Sequence, residues 1–416
     1  MARALNQEKF LNSSKFLDNI RALYSIDASI CAERYSSLTE GLHGSVRFFS
    51  SPGRAELVGN HTDHNHGYVI ASTIDKDVVC AAIPTSDNKI TVNSVGYPSF
   101  TVDINDLQQN SLLYGTSTAL VQGVVKGFCD RGYNVGGFIC NSHSTIFKGA
   151  GVSSSAAFEL LICEILNAFY NDNKIGYVEK ALISQFAENV YFGKPSGLMD
   201  QLTISRGGVS FMDFENPNLP KVSTSNWQFN DLNMVIINCG GDHCNLTAEY
   251  SAIREEMHQV ANYFGKNVLR DITKQEFFDD IRGITNAVSG RAVLRTIHFL
   301  LENERVLKAK NAVENCDKNT FLDIINASGD SSYKLLQNCY PANDVEQRVP
   351  LALALAKNHC DVLASRVHGG GFAGTILTFL DKKNCSKFEN YIKDVFGDDN
   401  VFSVGIRNSG AIEVEI

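Results

Sequence analysis

The chain has 416 residues and a mass of 45.7 kDa, enough for two domains with cores of their own. Its 44% apolar and 20% charged residues are an ordinary globular balance. The net charge of -9 argues against nucleic acid or an anionic membrane as a main partner, because both demand a basic face, and leaves room only for a local basic cleft that takes a nucleotide.

Residues 5–40 read as helical, with Phe10, Phe16, Leu17, Ile20 and Leu23 recurring at helical spacing. Residues 46–50 read as a strand that Pro52 and Gly53 break, and 55–58 as the next strand, ended by Gly59. A dense polar cluster follows: Asn60, His61, Thr62, Asp63, His64, Asn65, His66 and Gly67. A polar loop at a strand end is a natural place for a binding site. Asn, Asp and His together offer donors and acceptors to sugar hydroxyls. Three histidines and an aspartate also admit a metal, and a self-bonded turn is the plain alternative. Residues 68–103 read as short antiparallel strands with a turn at Asp87 and Asn88, 116–128 as a helix and 136–140 as a strand.

Gly149-Ala150-Gly151-Val152-Ser153-Ser154-Ser155-Ala156-Ala157 lies between that strand and an apolar helix. Two glycines let the backbone approach a ligand closely. Three serines sit where the helix begins, and a helix start has unpaired N–H groups that suit a phosphate. Their hydroxyls can also ligate a hard cation. No lysine lies inside the loop, so it is not a Gly-Lys-Ser/Thr P-loop. The plain alternative is a serine-capped helix after a glycine turn.

Residues 177–190 read as a helix with Glu188 near its end, and 193–201 as a breaker-rich loop ending in Asp200 and Gln201. Strands are expected at 209–213 and 232–238, and helices at 250–264 and 292–307. In the last of these Leu294, Ile297, Leu300 and Leu301 form an apolar stripe expected in the core. A further helix is expected around 351–356. A second glycine run, Gly369-Gly370-Gly371-Phe372-Ala373-Gly374, leads into a strand at 375–380, so another element or a nucleotide approaches the backbone there. A helix at 386–395 and a strand at 401–406 close the chain. Strands in runs followed by helices argue for a mixed α+β fold.

The eleven cysteines occur without a Cys-x-x-Cys pair. Cys239 and Cys244 flank a short polar string that admits zinc, but no second pair follows at ligand spacing. Unpaired cysteines, no leader-like apolar segment and no apolar run of about 18 residues lead to the expectation of a cytoplasmic protein.

Three separated strings then agree. Pro52-Gly53-Arg54 through Asp63, Gly149 through Ala157, and Gly369 through Gly374 resemble, in that order and at similar spacing, the three motifs of the GHMP small-molecule kinases. The first string resembles the galactokinase signature. Gly197-Leu198-Met199-Asp200-Gln201 resembles that family's active-site acid, and Tyr250 sits where it has a sugar-contacting tyrosine.

The resemblance implies an α+β fold of two domains. A ribosomal-S5-like N-terminal domain would span 1–206 and a ferredoxin-like C-terminal domain 207–416, with the active site in the cleft between them. It implies ATP-dependent phosphorylation of the anomeric hydroxyl of D-galactose. Alternatives left open are another sugar, such as N-acetylgalactosamine or a pentose, and a sensor that binds sugar and ATP without catalysis. By the same resemblance, Asp200 is the general base and Arg54 its partner beside the reacting hydroxyl. Asn60, His61, Thr62, Asp63, Gly197 and Tyr250 would bind sugar. Gly149, Ala150, Gly151, Val152, Ser153, Ser154 and Ser155 would hold the ATP phosphates, and Ser155 and Glu188 would serve Mg2+. The expected partners are small molecules, and the chain is expected to be a monomer, with a weak homodimer left open.

Some residues depart from the family pattern. Asn60 stands where galactokinases usually have a sugar-binding glutamate, Phe147 replaces a proline, Ala373 a glycine and Ser196 a cysteine. Loss of a charge-assisted bond at Asn60 would cost roughly 1 kcal/mol or more and puts the identity of the sugar in question.

Overall fold

Two sheets with helices laid against them organise the chain in the computed structural model, which describes residues 8–24, 27–147, 149, 151–240, 246–341, 343–372 and 374–416. The first sheet runs β12-β1-β2-β5-β3-β4, with β6 pairing β2 and β7 pairing β6. Its strands are β1 (Arg47–Val58), β2 (Tyr68–Thr85), β3 (Lys89–Ser94), β4 (Phe100–Asp103), β5 (Gly137–Ser144), β6 (Val209–Asp213), β7 (Lys221–Ser225) and β12 (Ile412–Val414). The second sheet runs β11-β8-β10-β9, from β8 (Leu232–Asn238), β9 (Val362–His368), β10 (Thr375–Asp381) and β11 (Val401–Val404).

Pro52 and Gly53 do not end a strand. β1 runs through them, and the register against β2 shifts between Pro52 and Arg54 and again between Glu56 and Val58. Such irregularities absorb a proline without N–H and bend the strand beside a site. Residues 68–85 are one long strand, because β2 meets β1 along most of its length and β5 and β6 at its two ends. β6 and β7 extend the first sheet past residue 207, and the last strand, β12, returns to β1. The chain therefore leaves the first sheet after β7, and its end adds the edge strand β12 to that sheet.

The helix Ser154–Tyr170 packs on β1 and β2 and buries Leu160, Leu161, Ile162, Ile165 and Leu166 completely. At about 1.5–3 kcal/mol for each such side chain, this helix fixes the serine loop that precedes it. The N-terminal helices Ser14–Leu23 and Ala28–Ser37 bury Phe16, Ile20, Leu23 and Tyr35 against Phe48 and Val79. Residues 5–7 and 25–26 of the expected helical segment lie outside the described residues. Phe147 stacks on Phe402, so an aromatic contact replaces the expected proline at the entry to the serine loop.

The helix Gly290–Glu314 departs most from expectation. Leu300 is buried and Ile297 packs against the same core, while Leu294 and Leu301 are only partly buried. Its deepest face instead carries Arg295, His298 and Glu302, none of them exposed. Arg295 donates to the Leu336 carbonyl at 3.1 Å and to Glu256 Oε2 at 2.9 Å, and His298 and Glu302 bind backbone, as described below.

Among the described residues no helix is long and apolar enough to cross a membrane.

Candidate active site

Asp200 stands in the first turn of the helix Met199–Arg206, not at the end of a loop. Arg54 meets it from β1, with Nε 2.7 Å from Oδ1 and Nη2 2.9 Å from Oδ2. Two parallel bonds of this kind are the strong geometry for an arginine and a carboxylate. Arg54 Nη1 also donates to the Gly151 carbonyl, and the Ser153 hydroxyl donates to Asp200 Oδ2. Three stretches far apart in sequence thus meet at one carboxylate. Burial pushes the Asp200 pKa up, but Arg54 and Ser153 outweigh it and hold it below the ordinary value.

The serine loop lies across β1 and β10. Gly149 and Gly151 have φ of 77° and 63°, and Ser153 shares the left-handed region at 62°. A Cβ on Gly151 would come within 3.0 Å of Thr375 Oγ1, and the Val152 carbonyl accepts from the Arg54 N–H at 3.1 Å. Val152 is in the core and Ser154 is exposed at the helix start. The expected serine cap is absent: Ser153 occupies the cap position but makes no capping bond, because its hydroxyl serves Asp200. A left-handed non-glycine residue is costly, and its cost here is offset where the site needs it. Among the described residues no side chain caps this helix start, and uncapped N–H groups suit a phosphate. Ala150 lies outside the described residues, as do Cys244 of the zinc alternative and Ala373 of the glycine run.

Beside this loop Ser155 Oγ donates to Glu188 Oε1 at 2.8 Å. Glu188 is 1% exposed and sits in a π-helical turn, Ala187–Tyr191, that ends the preceding helix. Such turns are rare and cluster at functional sites. Glu188 also accepts from Lys194 Nζ (2.9 Å), Ser196 Oγ (2.9 Å) and Gln201 Nε2 (2.7 Å). Ser196, standing where a cysteine is usual, therefore supplies a hydroxyl donor. A hydroxyl and a carboxylate oxygen are hard donors that suit Mg2+, and the buried carboxylate calls for a cation.

The polar loop divides into two sets. Asp63 stands beside Gly197, where any Cβ would strike its carboxylate. Burial raises the Asp63 pKa, against the His64 N–H and Arg254, and the Asp200 charge adds to the rise. His61 has a left-handed φ of 56°, and its Nε2–H donates to the Gly370 carbonyl at 3.0 Å. Burial lowers its pKa to about 4, so it is neutral at pH 7. The Tyr250 hydroxyl donates to the Gly371 carbonyl at 3.0 Å, and burial pushes its pKa up to about 12. A Cβ on Gly370 would come within 2.7 Å of the Tyr250 ring, so the glycine run lies between His61 and Tyr250.

Asn60 and Thr62 belong to the second set, whose side chains bond to protein groups on the inner side of the loop. Asn60 is 0% exposed. Its Nδ2 donates to Glu56 Oε1 (3.0 Å) and the Gly369 carbonyl (2.7 Å), and its Oδ1 accepts from Asn338 Nδ2 (2.8 Å) and Ser332 Oγ (3.3 Å). An amide has two donors and two acceptor sites, and these four bonds use them all. The Thr62 hydroxyl is likewise turned to the Gly59 and Tyr68 carbonyls. His61 and His64 lie edge to face with ring centres 5.8 Å apart. Among the described residues no three-donor metal cluster of His, Cys, Asp and Glu includes this loop.

The buried polar face of Gly290–Glu314 holds this loop in shape. Glu302 Oε1 accepts from the Gly59 N–H (3.0 Å), His298 Nε2–H donates to the Asn60 carbonyl (2.9 Å), and Asn303 Oδ1 accepts from the Tyr68 N–H (2.9 Å). Sequence reading missed Glu302, His298, Glu56, Asn338 and Lys194. A charged residue on an apolar helix stripe was the one available signal. Despite burial, which raises it, the Glu302 pKa is brought down to about 2 by His298, Arg305 and Arg366. A depressed carboxyl contributes stability above its unfolded value, which is lost as pH falls toward the folded one. Unfolding in urea is therefore expected to show a stability loss between about pH 4.5 and 2 in the native protein. Glu302→Gln is expected to start lower at pH 7 and lose less over that range. Parallel curves would remove Glu302 from the account.

Known proteins resemble this chain over most of its length. Residues 39–84 match the model of the galactokinase galactose-binding signature, and 119–208 the model of the GHMP kinase N-terminal domain. A galactokinase from Clostridium acetobutylicum is 30% identical over 358 residues, covering 83% of this chain and 88% of that protein. The chain belongs to the galactokinase family. A second galactokinase, from Clostridium tetani, is 27% identical over 356 residues, 84% of this chain and 88% of that one. Among solved structures, Lactococcus lactis galactokinase complexed with galactose superposes with a TM-score of 0.77 at 23% identity, covering 90% of this chain and 96% of that one. A mevalonate kinase gives 0.62 at 14% identity, with 87% and 99% covered. At these identities the two structures show the shared GHMP kinase fold, to which the galactokinase family adds its sugar signature.

Proposed function

We propose that the protein transfers the γ-phosphoryl group of ATP to the anomeric hydroxyl of D-galactose, giving galactose 1-phosphate and ADP. The observation that carries this reading is the Arg54–Asp200 pair, joined by two bonds and touched by the serine loop. The family membership and its galactose-binding signature support the substrate.

Asp63, His61, Gly197 and Tyr250 line the sugar side, and the serine loop takes the triphosphate. The sugar oxygen attacks the γ-phosphorus, the bond from that phosphorus to the bridging oxygen of ADP breaks, and the hydroxyl proton passes to Asp200 and then to water. Arg54 keeps Asp200 ionised and offsets the negative charge that develops on the sugar oxygen. A carboxylate so stabilised is a weak base, which fits late proton transfer to a metaphosphate-like transition state. Ser155 and Glu188 would hold Mg2+, which when bound neutralises phosphate charge. His61, neutral at pH 7, serves the sugar as a hydrogen-bonding group and not as a cation.

The test is an aldose panel with ATP and magnesium, read as ADP release and sugar 1-phosphate. Turnover highest on galactose is expected. Turnover on none of the sugars, with ATP and galactose still bound, would replace this reading with a non-catalytic sensor.

A further inference from the structure

No lysine lies in the serine loop, yet the fold brings one to it. Lys194 belongs to the segment between the π-helical turn and the helix Met199–Arg206, and its backbone N–H donates to the Glu188 carbonyl at 3.1 Å. Gly193 before it is left-handed at φ 79° and packs on the Tyr114 ring, so the start of the Lys194 side chain is fixed. Its Nζ lies 2.9 Å from Glu188 Oε1, the same oxygen that accepts from Ser155. The other carboxylate oxygen, Oε2, takes only the neutral donors Ser196 and Gln201.

Glu188 thus has one oxygen tied into the protein and one turned toward the serine loop. Lys194 is the cation paired with it among the described residues. The exposures of the two side chains differ sharply, 58% for Lys194 and 1% for Glu188. A buried carboxylate needs a counter-charge, and a flexible four-carbon stem reaching in from solvent can supply one and leave again. Two cations cannot share one carboxylate oxygen without strong repulsion.

We infer that Lys194 is the resident counter-ion of Glu188 in the nucleotide-free protein, and that it moves from Glu188 to the phosphates when nucleotide and divalent metal bind. This rests on the reading of the serine loop as the triphosphate site and of Glu188 as a metal ligand. Lys194 would then both keep Glu188 from standing uncompensated and touch the substrate during turnover.

The test is Mn2+ binding to the nucleotide-free protein followed by electron paramagnetic resonance, with ATP and galactose binding followed by calorimetry. Lys194→Met removes a competitor for Glu188, so Mn2+ affinity is expected to rise about tenfold, while affinity for the metal–ATP complex falls about tenfold and galactose affinity is unchanged. Lys194→Arg keeps a cation and is expected to stay near the native values. A merely structural lysine would weaken Mn2+ and ATP together. Mn2+ affinity in Lys194→Met equal to or below the native value overturns the inference. Glu188→Gln separates the two failures: if it binds Mn2+ as tightly as the native protein, the reading of Glu188 as a ligand falls, and the inference with it.

Discussion

Asp200→Asn is expected to lower kcat by about 10³-fold while the protein stays folded and binds galactose, since a positioned general base contributes about 10²–10⁴-fold. The asparagine fills the same space, but it cannot take the proton and it leaves Arg54 facing a neutral group. The charge that Arg54 presents at 2.7 and 2.9 Å then has no carboxylate to balance it. The folded Asp200 pKa lies below the ordinary value, so the native rate should be flat from about pH 5 upward on the Asp200 limb. Steady-state kinetics, calorimetry with galactose and a thermal melt check the expectation together. A variant with native kcat would remove Asp200 from proton transfer, leaving Arg54 and the serine loop to act by charge and positioning alone.

The second large effect concerns stability. Asn60→Asp, the variant of nearly the same shape, should destabilise the protein by about 3 kcal/mol or more. It places a second carboxylate beside Glu56, which lies 3.0 Å from the Asn60 amide, and takes away the donor to the Gly369 carbonyl. Both groups are buried, so water cannot screen the repulsion. Asn60→Glu should fare no better, although a glutamate is the family's usual residue. Glu56→Gln combined with Asn60→Asp restores one acid and one amide to the pair and should recover part of the loss. Full recovery is not expected, because Glu56 also pairs with Arg366 at 2.8 Å. Urea unfolding measures all four proteins. If Asn60→Glu instead tightens galactose binding with no loss of stability, Asn60 faces the sugar and the inward network does not describe it.

These two residues mark what could be read in the sequence. Asp200 and Arg54 carry chemistry through their type, and each sits in a short string whose neighbours constrain it: a glycine before Asp200 that leaves room for Asp63, and a bulge before Arg54. Asn60 lies in an equally strong string, yet its direction is set by four partners drawn from β1, the glycine run and the segment around 332–338. No local spacing reports such partners. The helix Gly290–Glu314 shows the same limit from the other side. Its period predicts a helix, and a helix forms with Leu300 in the core, but an apolar count does not place His298 and Glu302 inside, where they bind backbone groups of residues 59 and 60.

Pro52 and Gly53 failed as strand breakers for a related reason. A proline ends a strand only where its missing N–H is needed, and a register shift removes that need.

By itself the sequence determined the chemistry on offer: a glycine and serine loop at a helix start, an acid and an arginine in separate strings, a polar loop suited to hydroxyls, and helices and strands of about the right extent. These follow from local backbone preference and side-chain type, which act over a few residues. Only the tertiary structure decided which groups meet at Asp200, which are spent inside, and that Lys194 stands on Glu188. Those outcomes depend on hydrogen bonds and charge pairs between segments up to about 310 positions apart, whose energies exist only once burial has removed water from both partners.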